Sequence, residues 1–373
     1  MLKIALVHDW FNEAGGAEKV VKEILHCYPG ADVFCLFDFF DKNNRDEYLS
    51  GKKTHSSFIQ HIPFAHRGYR NLFPLFPKAI ESIDLKEYDV IISSSSCVAK
   101  GVKRKTGQLH ISYCHSPARY AWDLKEDYLR VANTMTTKVI LSYFFEKLRR
   151  WDLKSCNRVD YFIANSNFVH ERIRRFFKRE STVIYPPVNV EMKDAFGEKN
   201  DYYVTVSRLV NYKNIDLIVE AFRRMPELKL DVAGDGPLRR KILKNLPPNV
   251  TYLGYIDEET KHRKISLAKA FIAAATEDFG ISVVEAQSYC TPVIIPFKGG
   301  YKETVNKNTG VFFHDQTLED MVTTIRAFHA ENRIFRYEDF KENIKPFSIE
   351  RFRNEFKAFV DDKIEKHFNG KQR

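Results

Sequence analysis

Val183-Ile184-Tyr185-Pro186-Pro187-Val188 is the stretch on which the reading of the fold turns. Two consecutive prolines fix φ and remove two backbone donors, so neither a helix nor a central strand runs through them. A strongly polar stretch, Glu191 to Asp201, follows. The segment therefore reads as the link between two domains, and the same pattern recurs on both sides of it: a short apolar run, turn residues, then apolar residues at helical spacing. On the N-terminal side Ile4 to Val7 leads into Gly15-Gly16 and a helix whose apolar face is Val20, Val21, Ile24 and Leu25. Val90-Ile91-Ile92 precedes a run of four serines, Leu109 to Tyr113 comes next, and Tyr161 to Ala164 precedes Asn165-Ser166. On the C-terminal side the runs are Tyr203 to Val206, Leu230 to Ala233, Val250 to Leu253, Ala270 to Ala274, Val293 to Ile295 and Val311 to Phe313. Such alternation argues parallel sheets with helices on both faces.

The expected fold class is thus α/β, with two doubly wound, Rossmann-like domains, residues 1–187 and 188–345. They are expected to face each other across a cleft lined by the carboxyl ends of both sheets. The last segment, 346–373, carries Ile349, Phe352, Phe356, Phe359, Val360 and Ile364 at three- and four-residue steps, which predicts a helix that crosses back to the first domain.

Length and composition limit the function without choosing it. A chain of 373 residues, 44% hydrophobic and 29% charged, suits about two domains and excludes a peptide, a disulfide mini-protein and a disordered tail. Its 59 Lys and Arg against 49 Asp and Glu leave a net charge of +10, which favours an anionic partner: nucleotide, nucleic acid or lipid headgroup. Six scattered cysteines with no Cys-x-x-Cys pair suggest neither zinc nor a redox motif and read as reduced, buried thiols of a cytoplasmic chain. The opening apolar run ends at His8-Asp9, a length that suits a strand rather than a signal peptide. No stretch approaches the roughly 18 to 20 apolar residues of a spanning helix. The expected location is the cytoplasm, with peripheral attachment to the inner face of the cytoplasmic membrane as an extension of that reading.

The chemistry concentrates in Thr276-Glu277-Asp278-Phe279-Gly280-Ile281-Ser282-Val283-Val284-Glu285-Ala286. Glu277 ends the loop after one strand, and Glu285 lies in the following helix. A helix starting near Gly280 aims its free N–H groups and positive end at whatever lies above the sheet. A bare pair of glutamates at this spacing equally suits a solvated loop and an ordinary helix residue. Upstream, Arg208 and Lys213 follow directly on the strand Tyr203 to Val206, where two cations can clamp a diphosphate, although singly each is more often a surface charge. Gly234 and Gly236, in Ala233-Gly234-Asp235-Gly236-Pro237, permit close approach of backbone to a ring or phosphate, and tight strand-to-helix turns need glycine in any case.

In this order the segments resemble the retaining, nucleotide-sugar-dependent glycosyltransferases of the GT-B fold that carry the Glu-x7-Glu motif. The resemblance rests on Ser207-Arg208-Leu209 with Lys213, Gly234-Asp235-Gly236-Pro237, Tyr252-Leu253-Gly254-Tyr255, and Glu277-Asp278-Phe279-Gly280 with Glu285. In the first half it rests on Gly15-Gly16-Ala17-Glu18, Tyr113-Cys114-His115-Ser116-Pro117-Ala118-Arg119-Tyr120, Ala164-Asn165-Ser166 and Tyr185-Pro186-Pro187-Val188. The Cys-His-Ser-Pro-x-Arg-Tyr form and the opening His8-Asp9-Trp10 look most like the mannosyltransferase-like branch of bacterial surface-polysaccharide and lipopolysaccharide synthesis.

This resemblance implies residue roles. Arg208 and Lys213 would hold the donor diphosphate and offset the charge that grows on the leaving group. No Asp-x-Asp motif is placed to serve, so neither metal nor cofactor is expected. Glu277, with the backbone through Asp278, Phe279, Gly280 and Ile281, would bind the donor sugar, and Glu285 the ribose. The loops at Gly234, Gly236, Tyr252 and Tyr255 would hold the base. Gly15 and Gly16 would admit phosphate to the first helix. His115, which by residue type alone is more often a satisfied structural histidine, would orient the sugar, with Arg119 touching phosphate or acceptor. The expected reaction is transfer of a hexose, mannose from GDP-mannose, to a saccharide or lipid-linked saccharide. The alternatives are a UDP-sugar donor, a sugar-nucleotide epimerase and, less well supported by the motifs, a phosphorylase.

Three basic-aromatic clusters of the first domain complete the reading: Lys52, Lys53, Arg67, Arg70 and Lys78 among Phe58, Phe64, Tyr69, Phe73 and Phe76; Tyr143 to Trp151; and Arg172 to Arg179. Each suits an anionic membrane surface or, equally, a core of aromatics with solvated charges. They also suit a nucleic-acid-binding module, but no nucleic-acid motif accompanies them, so nucleic acid is not an expected partner.

Overall fold

The computed structural model describes residues 2–370 apart from 124, 126–128, 130–133, 193–198 and 332. Most of the polar stretch after the two prolines, and the side chains of Arg67 and Arg70, therefore lie outside the described residues. The chain divides into two compact units: Met1–Pro187 with Ile349–Arg373, and Val188–Ser348.

The first unit is built on a seven-stranded parallel sheet. Its strands are β1 (Ile4–His8), β2 (Asp32–Cys35), β3 (Thr54–Ser56), β4 (Val90–Ser95), β5 (Leu109–Cys114), β6 (Tyr161–Ala164) and β7 (Ser181–Val183). They lie in the order β3-β2-β1-β4-β5-β6-β7. Strands buried on both faces split their side chains between two cores, because successive residues point to opposite sides. Leu6, Val90, Ile92 and Ile111 join one cluster with Val20, Val21, Ile24 and Leu25 of the helix Gly16–Cys27. Ala5, Val7 and Ile91 join another with Phe37, Phe76 and Ile80 on the opposite face.

The terminal helix Ile349–Phe368 belongs to this unit and buries Phe352, Phe356 and Val360 in the first of these clusters. Polar contacts fix its register: Arg353 Nε donates to Glu23 at 2.5 Å, and the Tyr28 hydroxyl donates to Asp361 at 2.8 Å.

Two expectations change here. The serines after Ile92 do not form a turn, since Ser93, Ser94 and Ser95 are the buried second half of β4. The strand β2 and the two edge strands β3 and β7 add to the runs read from the sequence.

The basic-aromatic clusters divide between the interior and the surface: Phe76, Phe145, Leu148, Arg172 and Phe177 are buried, whereas Phe58, Phe64, Tyr143 and Lys147 are exposed. Trp10 stacks on Phe37, and both rings meet the buried Phe76 at a tilt. Trp151 donates its indole N–H to Glu81 at 2.7 Å, and Arg149 and Arg150 both reach Glu146. Arg172 is buried, gripping Asp123 through two bonds of 2.7 and 2.6 Å, while Arg179 donates to the carbonyls of Cys156 and Val159. In the third cluster Arg172 and Arg179 are thus tied to the protein itself, while Arg174, Arg175 and Lys178 are exposed.

The second unit has a six-stranded parallel sheet: β8 (Tyr203–Val206), β9 (Leu230–Ala233), β10 (Val250–Gly254), β11 (Ala270–Ile272), β12 (Val293–Pro296) and β13 (Gly310–Phe313), in the order β10-β9-β8-β11-β12-β13. Tyr203, Val232, Ile272 and Ile294 pack with Phe222, Met321 and Ile325 on one face, and Val204, Phe271, Val293 and Ile295 with Val283, Ala286 and Tyr301 on the other. The unit closes on itself where Val188 N–H donates to Phe347 O at 2.9 Å, so the chain enters and leaves it side by side. Among the described residues no helix is long and apolar enough to cross a membrane.

Candidate active site

In a parallel sheet every strand ends at the same edge, so the loops after β8, β9, β10, β11 and β12 converge in the second unit. The β8 and β9 loops interlock: Leu209 N–H donates to Asp235 O at 2.9 Å, and Leu238 N–H to Leu209 O at 3.0 Å. This contact explains the glycines. Gly234 sits at φ +128°, and a Cβ there would collide with the carbonyl oxygen of Ser207. The close approach is between two loops of the protein itself, beyond the approach to a ligand expected from the sequence. Tyr252 donates its hydroxyl to Gly234 O at 2.9 Å and lies under Arg239, whereas Tyr255 is 84% exposed.

Arg208 and Lys213 diverge in their surroundings. Arg208 is exposed and donates to the Tyr212 hydroxyl at 3.0 Å. Lys213, in the 3-10 turn Asn211–Lys213, is half-buried and bonds Glu277. The structure thereby joins the β8 cation to the first glutamate of the motif. Asn214 reinforces the join, its amide donating to Ala274 O at 3.1 Å.

Glu277 is further held through its backbone by Gly300, whose N–H donates to Glu277 O at 2.9 Å. A Cβ on Gly299 would collide with Glu277 O, and one on Gly300 with Asp278 O, so only this glycine pair lets the β12 loop lie against the motif. Neither glycine is singled out by the sequence reading. Its signal is the bare Gly-Gly dipeptide after the apolar run Val293 to Ile295.

Gly280, in the left-handed region, caps the helix Ile281–Ser288. Asp278 and Phe279 are buried, with the Phe279 ring edge-on to Phe347 at 5.2 Å, so what this segment presents is backbone. Ile281 is half-buried. One face of the next turn holds Glu285, whose Oε2 lies 3.4 Å from Lys261 Nζ, and Lys261 also reaches Glu258 at 2.7 Å. Burial pulls the Lys261 ammonium down, but the carboxylates of Glu285 and Glu258 outweigh it and hold the lysine above its usual range. Lys261 lies 24 residues before Glu285, in a helix whose sequence pattern is simply polar, and carries no signal of its own.

In the first unit, Gly15 is the N-cap and Gly16 the first residue of the helix after β1. His115 follows β5, its N–H donating to Ser95 O at 2.9 Å, its ring 5.1 Å from that of Tyr113 and its Nε2 2.8 Å from Ser94 Oγ. The side chain of Asn165 donates to His115 O at 3.0 Å. Arg119 lies in the 3-10 turn Arg119–Ala121 and is partly exposed. The buried Asp9 accepts backbone N–H groups of Ser96, Cys97, Val98 and Ala99 at 2.6 to 2.9 Å, closing the loop after β4. Among the described residues no three His, Cys, Asp or Glu side chains converge as a metal set.

Each unit thus offers groups suited to an anionic, hydroxyl-rich ligand at the carboxyl edge of its sheet: cations, carboxylates that accept from hydroxyls, and helix N-termini. Comparison with known proteins agrees with that chemistry. Residues 14–192 match the model of glycosyltransferase family 4, and residues 190–346 that of glycosyl transferases group 1. The chain is 22% identical to the UDP-N-acetylglucosamine–peptide N-acetylglucosaminyltransferase GtfA subunit of Streptococcus parasanguinis over 83% of its own length and 62% of that protein's. It is 22% identical to the alpha-1,3/1,6-mannosyltransferase ALG2 of Candida glabrata, covering 96% of this chain and 92% of that one. The sucrose-phosphate synthase of Thermosynechococcus elongatus superposes with a TM-score of 0.73 at 19% identity, covering 98% and 99% of the two chains. With the two family models tiling residues 14 to 346, the chain belongs to the group 1 glycosyltransferases of the GT-B fold.

Proposed function

We propose that the protein is a retaining, metal-independent glycosyltransferase that moves a hexose, mannose from GDP-mannose, onto a saccharide acceptor carried on lipid, in the making of surface polysaccharide or glycolipid. The observation that carries the reading is the joining of Lys213 and Glu277 from two different strand ends, beside the exposed Arg208. Arg208 and Lys213 supply the positive charge that a leaving diphosphate requires, Glu277 and the backbone from Asp278 to Ile281 take the sugar hydroxyls, and Glu285 takes the ribose. His115 and Arg119 serve from the first unit.

Both motif glutamates are occupied with binding, so front-face substitution is the reaction assigned. The bond from the anomeric carbon to phosphate breaks, the acceptor oxygen bonds that carbon on the same face, and the acceptor's proton passes to the departing phosphate. Mannose is favoured by the Cys114-His115-Ser116-Pro117-x-Arg119-Tyr120 form and by the likeness to ALG2, whereas the GtfA likeness favours a UDP-sugar. Incubation with a panel of GDP- and UDP-sugars, following slow donor hydrolysis, decides between them without an acceptor. GDP-mannose is expected to be cleaved fastest, and preference for a UDP-sugar would overturn the mannose assignment. Epimerisation of the free donor in the same assay would overturn transfer itself.

The lipid-linked acceptor draws support from the helix Met135–Cys156. Met135, Val139 and Tyr143 stand 75%, 62% and 64% exposed on one face, with Ile140 beside them, Lys147 exposed further along and Phe64 75% exposed in the same unit. An apolar stripe next to positive charge is what an anionic lipid surface binds. Salt-sensitive binding to anionic vesicles, weakened in Val139→Glu, is expected; failure of the wild type to bind them removes the membrane from this reading.

A further inference from the structure

Behind His115 lies a line of polar groups that the reaction described above does not use. Ser94 Oγ, in β4, is 2.8 Å from His115 Nε2 and 3.1 Å from Nδ1 of His8, at the end of β1. His8 Nδ1 is also 3.1 Å from the Ser94 carbonyl oxygen, and its Nε2 is 3.4 Å from Glu18 Oε1, on the first helix. His8, Glu18 and Ser94 are all buried.

The proton positions follow from which atoms are able to donate. A carbonyl oxygen only accepts, so the nitrogen facing Ser94 O carries a hydrogen, and Nδ1 of His8 is a donor wherever the proton between Nε2 and Glu18 resides. Ser94 Oγ, receiving from that side, has its single hydrogen available for Nε2 of His115, the alternative being that its second lone pair accepts from a protonated Nε2. A ring nitrogen that accepts from a hydroxyl is unprotonated, which puts the imidazole proton on Nδ1.

We propose that Glu18, His8 and Ser94 are positioning residues that set the tautomer and orientation of His115, so that it faces the donor sugar as a neutral imidazole with its proton on Nδ1. The free side chain in water favours the other tautomer, so the network selects a form the ring does not choose by itself. Glu18 also anchors the device to the helix that begins at Gly16, so the first helix and His115 are placed by one line of bonds. The proposal rests on the assignment of His115 to donor binding, and the two are separable by experiment.

The test is nitrogen-15 NMR of the imidazoles, with the His115 signals among the 12 histidines identified by their loss in His115→Gln. The wild type is expected to show an unprotonated Nε2 and a protonated Nδ1 at residue 115. Ser94→Ala is expected to move His115 to the Nε2-protonated form, and His8→Asn, which takes away the Nδ1–H donor, to do so in part. Turnover at saturating donor is expected to fall on the order of tenfold, the scale of a slightly misplaced group, with the apparent KM for donor nearly unchanged. Ser94→Thr, which restores the hydroxyl, is expected to restore the tautomer. A wild-type His115 protonated on Nε2, or a tautomer indifferent to Ser94→Ala in a variant that still folds, overturns the proposal. Normal transfer by His115→Ala would instead overturn the assignment of His115 while leaving the tautomer result standing.

Discussion

In the second unit the charged groups of the site meet as ion pairs between separate elements, Lys213 with Glu277 from two loops and Lys261 with Glu285 from two helices. In the first unit the polar groups behind His115 lie inside the sheet and pass hydrogen bonds from the first helix to β1 and on to β4. The contrast is one of solvent and of sequence distance. These ion pairs keep a little contact with water, their side chains being 13 to 21% exposed, so a partner that leaves must be replaced by polar groups of a ligand. Groups enclosed in a sheet have no such exchange, and an unmade bond there costs the full desolvation of the orphaned group. On the proposed function, the second unit exchanges its charge partners for a donor, while the first holds one ring still.

The largest effect that would sharpen this contrast belongs to the charges of the loops after β8 and β11. Arg208→Ala and Glu277→Ala are each expected to lower transfer on the order of 100- to 1000-fold, the scale of losing one group that stabilises developing charge. Unfolding midpoints should stay close to wild type, because neither side chain is in the core. The check is kcat with a saturating donor alongside a thermal melt. A variant that retained near wild-type turnover would remove its residue from the site. Because Lys213 and Glu277 bond each other, the pair Lys213→Met and Glu277→Gln should be non-additive in kcat/KM by more than about 0.5 kcal/mol. Additive losses would mean that the two act apart.

The same contrast explains how far the sequence could be read. Buried parallel strands announce themselves by apolar runs, and Ile4 to Val7 or Val293 to Ile295 are found without ambiguity. β3 does not, since Thr54-His55-Ser56 at the sheet edge has only one strand neighbour and needs no apolar side chains. The serines of β4 mislead for a different reason. Their hydroxyls are satisfied inside the sheet, Ser93 by His110 at 2.9 Å and Ser94 by two histidines, so polar residues stand where polarity alone reads as a loop. The site charges of the second unit were legible because each follows its strand in the chain. The partners that complete them, Lys261 from a helix and Gly299 and Gly300 from the loop after β12, come from elsewhere in the chain, and no spacing rule connects them. Arg172 errs in the opposite direction, a surface charge by type that burial and Asp123 turn into an internal clamp.

A smaller effect tests whether the second pair works as the first does. Lys261→Met leaves Glu285 without its close ammonium and is expected to raise the KM for donor about tenfold with little change in kcat, since a ribose contact binds ground and transition states alike. A loss confined to kcat would place Glu285 nearer the reacting atoms than the ribose.

The smallest expected effect concerns the buried side of the comparison and has a definite sign with pH. Burial lowers the affinity of His8 for a proton, but the hydrogen bond and charge of Glu18, with Asp9 nearby, outweigh it and raise the pKa above the usual 6.5. The folded state then holds that proton more tightly than the unfolded chain, so the stabilisation is fully present below about pH 6.5 and is lost as the pH rises through the folded value. Glu18→Gln abolishes the charge while keeping the shape. Its deficit in unfolding free energy relative to wild type should be on the order of 1 kcal/mol larger near about pH 6 than near about pH 9, read from urea midpoints at equal m-values. A deficit that did not change with pH would mean that His8 is held by its bonds to Ser94 alone, and the first unit would then keep its ring in place without any buried charge.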